Sequence, residues 1–153
     1  MKPKSPKESE TILSEVMMPV YANHYGNVHG GTIMKLVDDA AFAAATRHAR
    51  CNIVIAAIDH MVFKEPVHMG DVLILKASIN HVGRTSMEVG VKIEAEKLKQ
   101  GIMADVGHAY LTMVAVDKTG KPTAIPKLIL KTDEEKKRNK EALERRKLRL
   151  KFS

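Results

Sequence analysis

Between Thr32 and His48 the apolar residues Ile33, Val37, Ala40, Ala41, Ala44 and Ala45 recur at spacings of three and four. That period predicts a helix with one buried face. Gly30 and Gly31 stand at its start, and Arg47, His48 and Arg50 crowd its last turn, where the negative end of the helix dipole favours cations. So many alanines let other backbone come close, so the helix reads as wrapped rather than laid on a surface. Before it, Thr11–Met18 has strand character and stops at Pro19, and Tyr21–Gly31 is a polar loop punctuated by glycines. After Cys51 the pattern turns to strands. Asn52–Phe63 is long and β-branched, and Val72–Val82 follows a loop marked by Pro66 and Gly70. Met87, Val89, Val91, Ile93 and Ala95 then alternate with Glu88, Gly90, Lys92, Glu94 and Glu96, the pattern of an antiparallel strand with one wet face. Gly83–Ser86 is the turn into it, and a last strand runs from Ile102 to Val116.

One short strand, one helix and four strands in a row predict an α+β domain, an antiparallel sheet bent over a single central helix. Its outer face and edges would stay open, for which pairing with a second copy is the usual remedy. Residues 1–10 are polar with two prolines and read as a flexible N-terminal arm, residues 11–130 as the folded domain. Residues 131–153 form a basic, helix-prone tail without Gly or Pro, carrying a thin stripe of Leu143, Leu148 and Leu150. The tail reads as a solvated or frayed terminal helix, with docking on a partner subunit or an anionic surface as the alternative.

The net charge of +7 changes meaning once it is divided. The tail from Lys131 holds 10 basic and 5 acidic residues, which leaves the body of the chain near +2. Any polyanion argument therefore belongs to the tail. No aromatic residues interleave its basic ones and no helix-turn-helix pattern flanks the domain, so nucleic acid is not expected. No apolar run approaches the roughly 20 residues of a membrane span, and the N-terminus lacks the apolar core of a secretory signal. The single cysteine, Cys51, excludes an internal disulfide. A cytoplasmic location is the expectation.

Candidate chemistry narrows by elimination. The seven histidines are scattered, with no HExxH and no cysteine motif beside them, so no metal site is expected. There is no G-x-S-x-G elbow, no dinucleotide fingerprint and no Walker loop. Cys51 follows the helix C-terminus, where the dipole disfavours a thiolate. What remains is the loop and helix. Gly30-Gly31 at a helix start presents backbone N–H groups with no side chain in the way, a site for an anion or an oxyanion. Asp38 and Asp39 lie inside an otherwise aliphatic helix. Either one of them has a functional reason, or both reach solvent or a basic partner.

At this point the residues resemble a known family. The run Asn23-His-Tyr-Gly-Asn-Val-His-Gly-Gly-Thr-Ile-Met-Lys-Leu-Val-Asp-Asp-Ala-Ala41 is similar to the signature of the hotdog-fold acyl-CoA thioesterases, nearest the cytosolic long-chain (brain-type) hydrolases and their bacterial relatives. Thr46-Arg-His48, Phe63–Asp71, Gly83–Val89 and Thr112–Pro126 follow in matching order. The resemblance covers roughly residues 10–128 and implies a hotdog fold, a curved antiparallel sheet wrapped around one long helix, working as a homodimer and often as a trimer of dimers.

It also implies roles. Asp38, not Asp39, matches the family's catalytic aspartate, which activates water as general base or attacks as nucleophile. Asn23 matches its loop asparagine, and Gly30 and Gly31 its helix-start glycines, which polarise the thioester carbonyl. Arg84, Thr85 and Ser86 match a turn that contacts coenzyme A, although Arg84 also reads as a plain exposed turn residue. His24 and His29 flank the site as substrate contacts, with a structural hydrogen bond at the helix start as the other reading of His29. Phe63, with Met61 and Val37, would line the acyl tunnel. The implied reaction is hydrolysis of acyl-CoA to free acid and coenzyme A. No cofactor is expected, since coenzyme A belongs to the substrate. From Gly30 to Asp38 is about 12 Å along a helix at 1.5 Å per residue. One carbonyl is thus expected to meet the glycines of one protomer and Asp38 of the other. An acyl-CoA-binding sensor without activity and a hotdog hydratase or dehydratase are the alternatives.

Overall fold

In the computed structural model, which describes residues 1–152, a single antiparallel sheet takes the strand order β1-β3-β4-β5-β2. The strands are β1 (Thr11–Val16), β2 (Asn52–Phe63), β3 (Val72–Val82), β4 (Ser86–Lys97) and β5 (Ile102–Val116). The long helix α1 (Gly30–Ala49) touches all five, so the sheet curls around it in the hotdog arrangement. The period-two pattern explains the inner layer. Leu73, Leu75, Ala77 and Ile79 from β3, Met87, Val89, Val91 and Ile93 from β4, and Ala109, Leu111, Met113 and Ala115 from β5 are all buried. They close on Ile33, Val37, Ala40, Ala41, Ala44 and Ala45, the helical stripe read from the sequence.

The strands are bulged at four positions. The β2–β5 register skips Ala56 and Asp59, and the β3–β4 register skips Asn80. On β5, Val106 is skipped against β4, and the next residue, Gly107, holds φ +155° in the middle of the sheet. Such bulges bend a strand and raise its twist, which is how a flat ladder becomes a wrap.

Two terminal expectations need correction. Residues 1–10 do not form a flexible arm. Lys4 extends along Leu128, with its N–H bonded to the Lys127 carbonyl at 3.0 Å, and its ammonium donates to the carbonyls of Arg47 (3.1 Å) and His48 (2.8 Å). A cation therefore satisfies the orphan carbonyls at the negative end of α1. Ser5 and Ser9 are buried and bracket a 3-10 turn, Pro6–Glu8, with Glu8 accepting the Ser5 N–H. The tail is likewise not a frayed solvated helix: α2 (Asp133–Phe152) lies on the outer face of the chain's own sheet. Thr132 caps it and Glu135 returns two bonds to the Lys131 and Thr132 N–H groups. No helix is long and apolar enough to cross a membrane.

Candidate active site

His29 starts α1. Its Nδ1 accepts the Gly31 N–H at 3.0 Å and its carbonyl accepts from Thr32 and Ile33. A ring nitrogen thus takes the capping role usually held by Ser, Thr, Asp or Asn. This is the structural reading of His29, and it alters the pair of glycine donors. Gly31 N–H is engaged by the cap, whereas Gly30 N–H has no partner among the described residues. A Cβ on Gly31 would stand 3.0 Å from the His29 ring, while one on Gly30 would meet nothing within 4 Å. Gly31 therefore makes room for the cap, and Gly30 leaves its amide open to a ligand.

Asn23 organises the preceding loop. Its Oδ1 accepts the N–H groups of Tyr25 (2.9 Å) and Asn27 (3.1 Å), and its backbone N–H donates to the Asn27 carbonyl at 2.7 Å. The side-chain amide nitrogen is left without a partner among the described residues. The His24 and Tyr25 rings meet at a tilt of 40°, 4.0 Å between centroids, at the exposed tip of this loop.

The two helix carboxylates are told apart by their neighbours. Asp39 is half-buried and paired with Lys35 one turn earlier, at 2.9 Å. Asp38 is equally half-buried but has no ion pair or hydrogen bond among the described residues. Its direction follows from the helix. Arg47 donates to the Glu10 carbonyl (3.1 Å) and to Thr11 Oγ1 (3.0 Å), which fixes the flank of α1 that faces β1. Met34, Asp38 and Phe42, four residues apart, form a stripe on the opposite flank, toward β2. Met34 and Phe42 are 45% and 48% exposed. On β2 itself Ile55 and Ile58 pair with the buried Met113 and Leu111, so they share the inner face, yet they too are 45% and 42% exposed. A lone carboxylate thus sits in an uncovered apolar strip beside a free strand edge. The four-residue spacing of Met34, Asp38 and Phe42 is visible in the sequence and was the signal available for this strip.

The remaining predicted residues fall into two groups. Phe63 lies at the end of β2 opposite Gly107, just before a loop whose Val67 carbonyl accepts the Val28 N–H at 2.8 Å. That places it at the N-terminal end of α1, with Asn23, His24, His29, Gly30 and Gly31. The Gly83–Ser86 turn is at the other end: Ile125 donates to the Arg84 carbonyl, and neighbouring Pro126 meets the His48 ring at 2.7 Å. Twenty helical residues at 1.5 Å each separate the two groups by about 30 Å. Within one chain, then, Arg84, Thr85 and Ser86 do not join Gly30. Arg84 is exposed and uses only its backbone carbonyl, for Ile125. Val37, expected along an acyl tunnel, is wholly buried in the core. Among the described residues no group of three or more His, Cys, Asp or Glu is placed to hold a metal.

A long helix gripped by a curved antiparallel sheet is a hotdog domain, and here a carboxylate without a partner among the described residues lies at its free edge and an open amide at its helix start. The chain belongs to the thioesterase superfamily, whose profile matches residues 25–102. It is 35% identical over 129 residues to the uncharacterized acyl-CoA thioester hydrolase YkhA of Bacillus subtilis, across 84% of this chain and 75% of the relative. Among solved structures it superposes on an apo-hexameric acyl-CoA thioesterase with TM-score 0.95 and 36% identity, covering 99% of this chain and 97% of the other. An acyl-CoA hydrolase of Staphylococcus aureus, solved with butyryl coenzyme A, coenzyme A and coenzyme A disulfide, gives TM-score 0.90 at 32% identity, over 98% and 92%.

Proposed function

We propose that this chain hydrolyses acyl-CoA thioesters to a free carboxylic acid and coenzyme A, with Asp38 as the group that activates water or itself attacks the carbonyl. The observation that carries the assignment is the state of Asp38: half-buried, flanked by Met34 and Phe42, and unpaired, while its neighbour Asp39 is neutralised by Lys35. A carboxylate that no cation holds is free to take a proton from water or to bond to carbon. The open Gly30 N–H polarises the thioester oxygen, a contribution of a few kcal/mol in the transition state. Asn23 orients the water or the carboxylate through its unpartnered amide. The S. aureus hydrolase has been solved as alanine variants at an asparagine and an aspartate fifteen residues apart, the separation of Asn23 and Asp38 here. The thiolate is a good leaving group, so the site requires neither a strong general acid nor a cofactor.

The working unit is a homodimer with two shared sites, assembled further as a trimer of dimers in the cytoplasm. Three features support this: the roughly 30 Å between Gly30 and the Arg84 turn, the uncovered strip along β2, and the hexameric state of the related thioesterases. A second copy pairing antiparallel on β2 turns the C-terminal end of its α1, with Arg84, Thr85 and Ser86, toward this chain's Gly30. Those residues then hold the coenzyme A portion while Phe63 and Met61 border the acyl chain.

Thiol release followed with a thiol-reactive dye, over acyl-CoAs from acetyl to palmitoyl, tests the reading. Asp38→Ala is expected to lower kcat by about 10² or more, while Asp39→Ala retains nearly full activity. Equal loss from both variants, or thiol release that survives Asp38→Ala, would remove Asp38 from the chemistry. Saturable acyl-CoA binding without thiol release from any chain length would make the protein a sensor instead.

A further inference from the structure

Helices usually dock on sheets through apolar faces. The face that α2 turns to the sheet is built largely from polar side chains, and they do not spread evenly. Arg145 is bidentate on the buried Glu88 of β4, at 2.7 and 3.0 Å, and its guanidinium lies 3.6 Å from the centroid of the Tyr110 ring on β5. Asn139 donates to the Asn80 carbonyl of β3 at 3.0 Å, and Asn80 in turn donates to Glu88, also at 3.0 Å. Arg149 reaches furthest, across the sheet to Asp59 on β2, where Thr112 also donates.

Two of these anchors are bulge residues. The β3–β4 register passes over Asn80, and the β2–β5 register passes over Asp59, since Ile58 faces Leu111 and His60 faces Tyr110. A bulged residue is released from the ladder, so its backbone is held by whatever its side chain or carbonyl finds. For Asp59 that is Arg149 and Thr112, in an ion pair whose side chains keep 23% and 14% of their exposure. Asp59 is also near the middle of β2, the strand whose other side is unpaired.

We propose that α2 is a positioning strap. The Arg149–Asp59 ion pair fixes the β2 bulge, and thereby the edge on which a second copy of this chain pairs and the alignment of the two shared sites. The inference rests on the shared-site reading above. Arg149 touches neither substrate nor Asp38; it acts through the shape of β2. This gives the basic tail a task in assembly, and it makes the chain's last helical turns necessary to a site they do not enter.

The test combines sedimentation equilibrium with thiol release at several protein concentrations, on the full chain and on Arg149→Ala, Arg149→Lys, Asp59→Asn and Arg138→Ala. Asp59→Asn is nearly isosteric and protects the test should Arg149→Ala fold poorly. Arg138 is the control, because its partner Glu134 lies on its own helix, at 2.6 Å. Arg149→Ala and Asp59→Asn are each expected to raise the dissociation constant of the assembly by about tenfold. Their specific activity should become dependent on protein concentration, with KM for acyl-CoA little changed once assembly is complete. The double variant should be no worse than either single one, Arg149→Lys should recover most of the loss, and Arg138→Ala should match wild type. Wild-type assembly and concentration-independent activity in both Arg149→Ala and Asp59→Asn would overturn the strap. A wild-type chain that is fully active as a monomer would overturn the shared-site reading, and the strap with it.

Discussion

Gly107→Ala offers a test of how the sheet wraps. Gly107 sits inside β5 at φ +155°, and a Cβ built on it would stand 1.8 Å from the Val62 carbonyl oxygen and 2.9 Å from the Val62 carbonyl carbon. Real Cβ atoms essentially never approach within 3.0 Å, so β2 and β5 must part by more than 1 Å at this point. The obstacle is backbone on both sides and has no rotamer escape. Strain in this backbone region costs on the order of 1–3 kcal/mol, and one or two ladder hydrogen bonds at roughly 1 kcal/mol each are lost as the strands separate. The sum is about 3–4 kcal/mol, which for a domain near 150 residues lowers the melting temperature on the order of 10 °C. The assay is thermal unfolding at one fixed protein concentration, alongside Gly101→Ala as a reference. Gly101 has φ +66° but open space around its Cβ position, so its substitution costs only about 1 kcal/mol. A Gly107→Ala protein that melts no lower than Gly101→Ala would refute the reasoning, because then the close approach of Gly107 to Val62 would not govern the β2–β5 junction.

Two further outcomes follow from buried polar groups. Glu88→Ala leaves Arg145 without its bidentate partner and Asn80 without its acceptor, and is expected to cost about 3 kcal/mol and to expose α2 to limited proteolysis, which mass mapping of the first cleavage will locate. Protonation is the second lever. His48 is buried with its Nε2 on the Pro126 carbonyl and its Nδ1 unbonded, and burial pushes its pKa below the ordinary 6.5. The unfolded chain therefore binds the proton first, so stability is complete above pH 6.5 and declines as the pH falls through that value toward the lower native one. A melting curve measured from pH 8 down to about 5 should fall, and His48→Gln, which keeps a donor for Pro126, should flatten it; identical slopes in the two proteins would assign the decline to other groups.

The sequence made the interior legible and the exterior much less so. The stripe from Ile33 to Ala45 and the alternation from Met87 to Ala95 are direct records of burial, and each reappears in the core. Polar contacts leave no such period. Nothing in the spacing of Arg145 and Arg149 announces Glu88 and Asp59, which lie 57 and 90 residues away in the chain. Lys4 reads as part of an arm in the sequence because its task, closing the carbonyl end of α1, involves a partner 43 residues on. Local chemistry was legible where it is local: Gly30-Gly31 at a helix start is a pattern of neighbours. Even there, the cap from His29 to Gly31 could be named only as one of two roles, since a ring nitrogen two residues upstream competes with a substrate for the same N–H.

That competition refines how the site must work. With Gly31 committed to His29, the helix start has one open amide, and in the proposed reaction the positive end of the α1 dipole would supply the rest of the stabilisation. Asp38, the carboxylate proposed to attack or to activate water, stands two turns away, on a flank the chain leaves uncovered. Arg84, Thr85 and Ser86, the residues proposed for the coenzyme A end, stand at the opposite end of the same helix. A helix rigid enough to hold these groups is also too long to bring them together, and its alanine-rich, tightly wrapped core gives it no room to bend. In the proposed homodimer a second helix, turned end for end beside the first, would supply the missing partners to each group at once. The free β2 edge, its apolar inner residues Ile55 and Ile58, and the Met34–Phe42 stripe around Asp38 are the surface this proposal gives that second helix, so the same burial that would stabilise the pair would also remove water from the carboxylate.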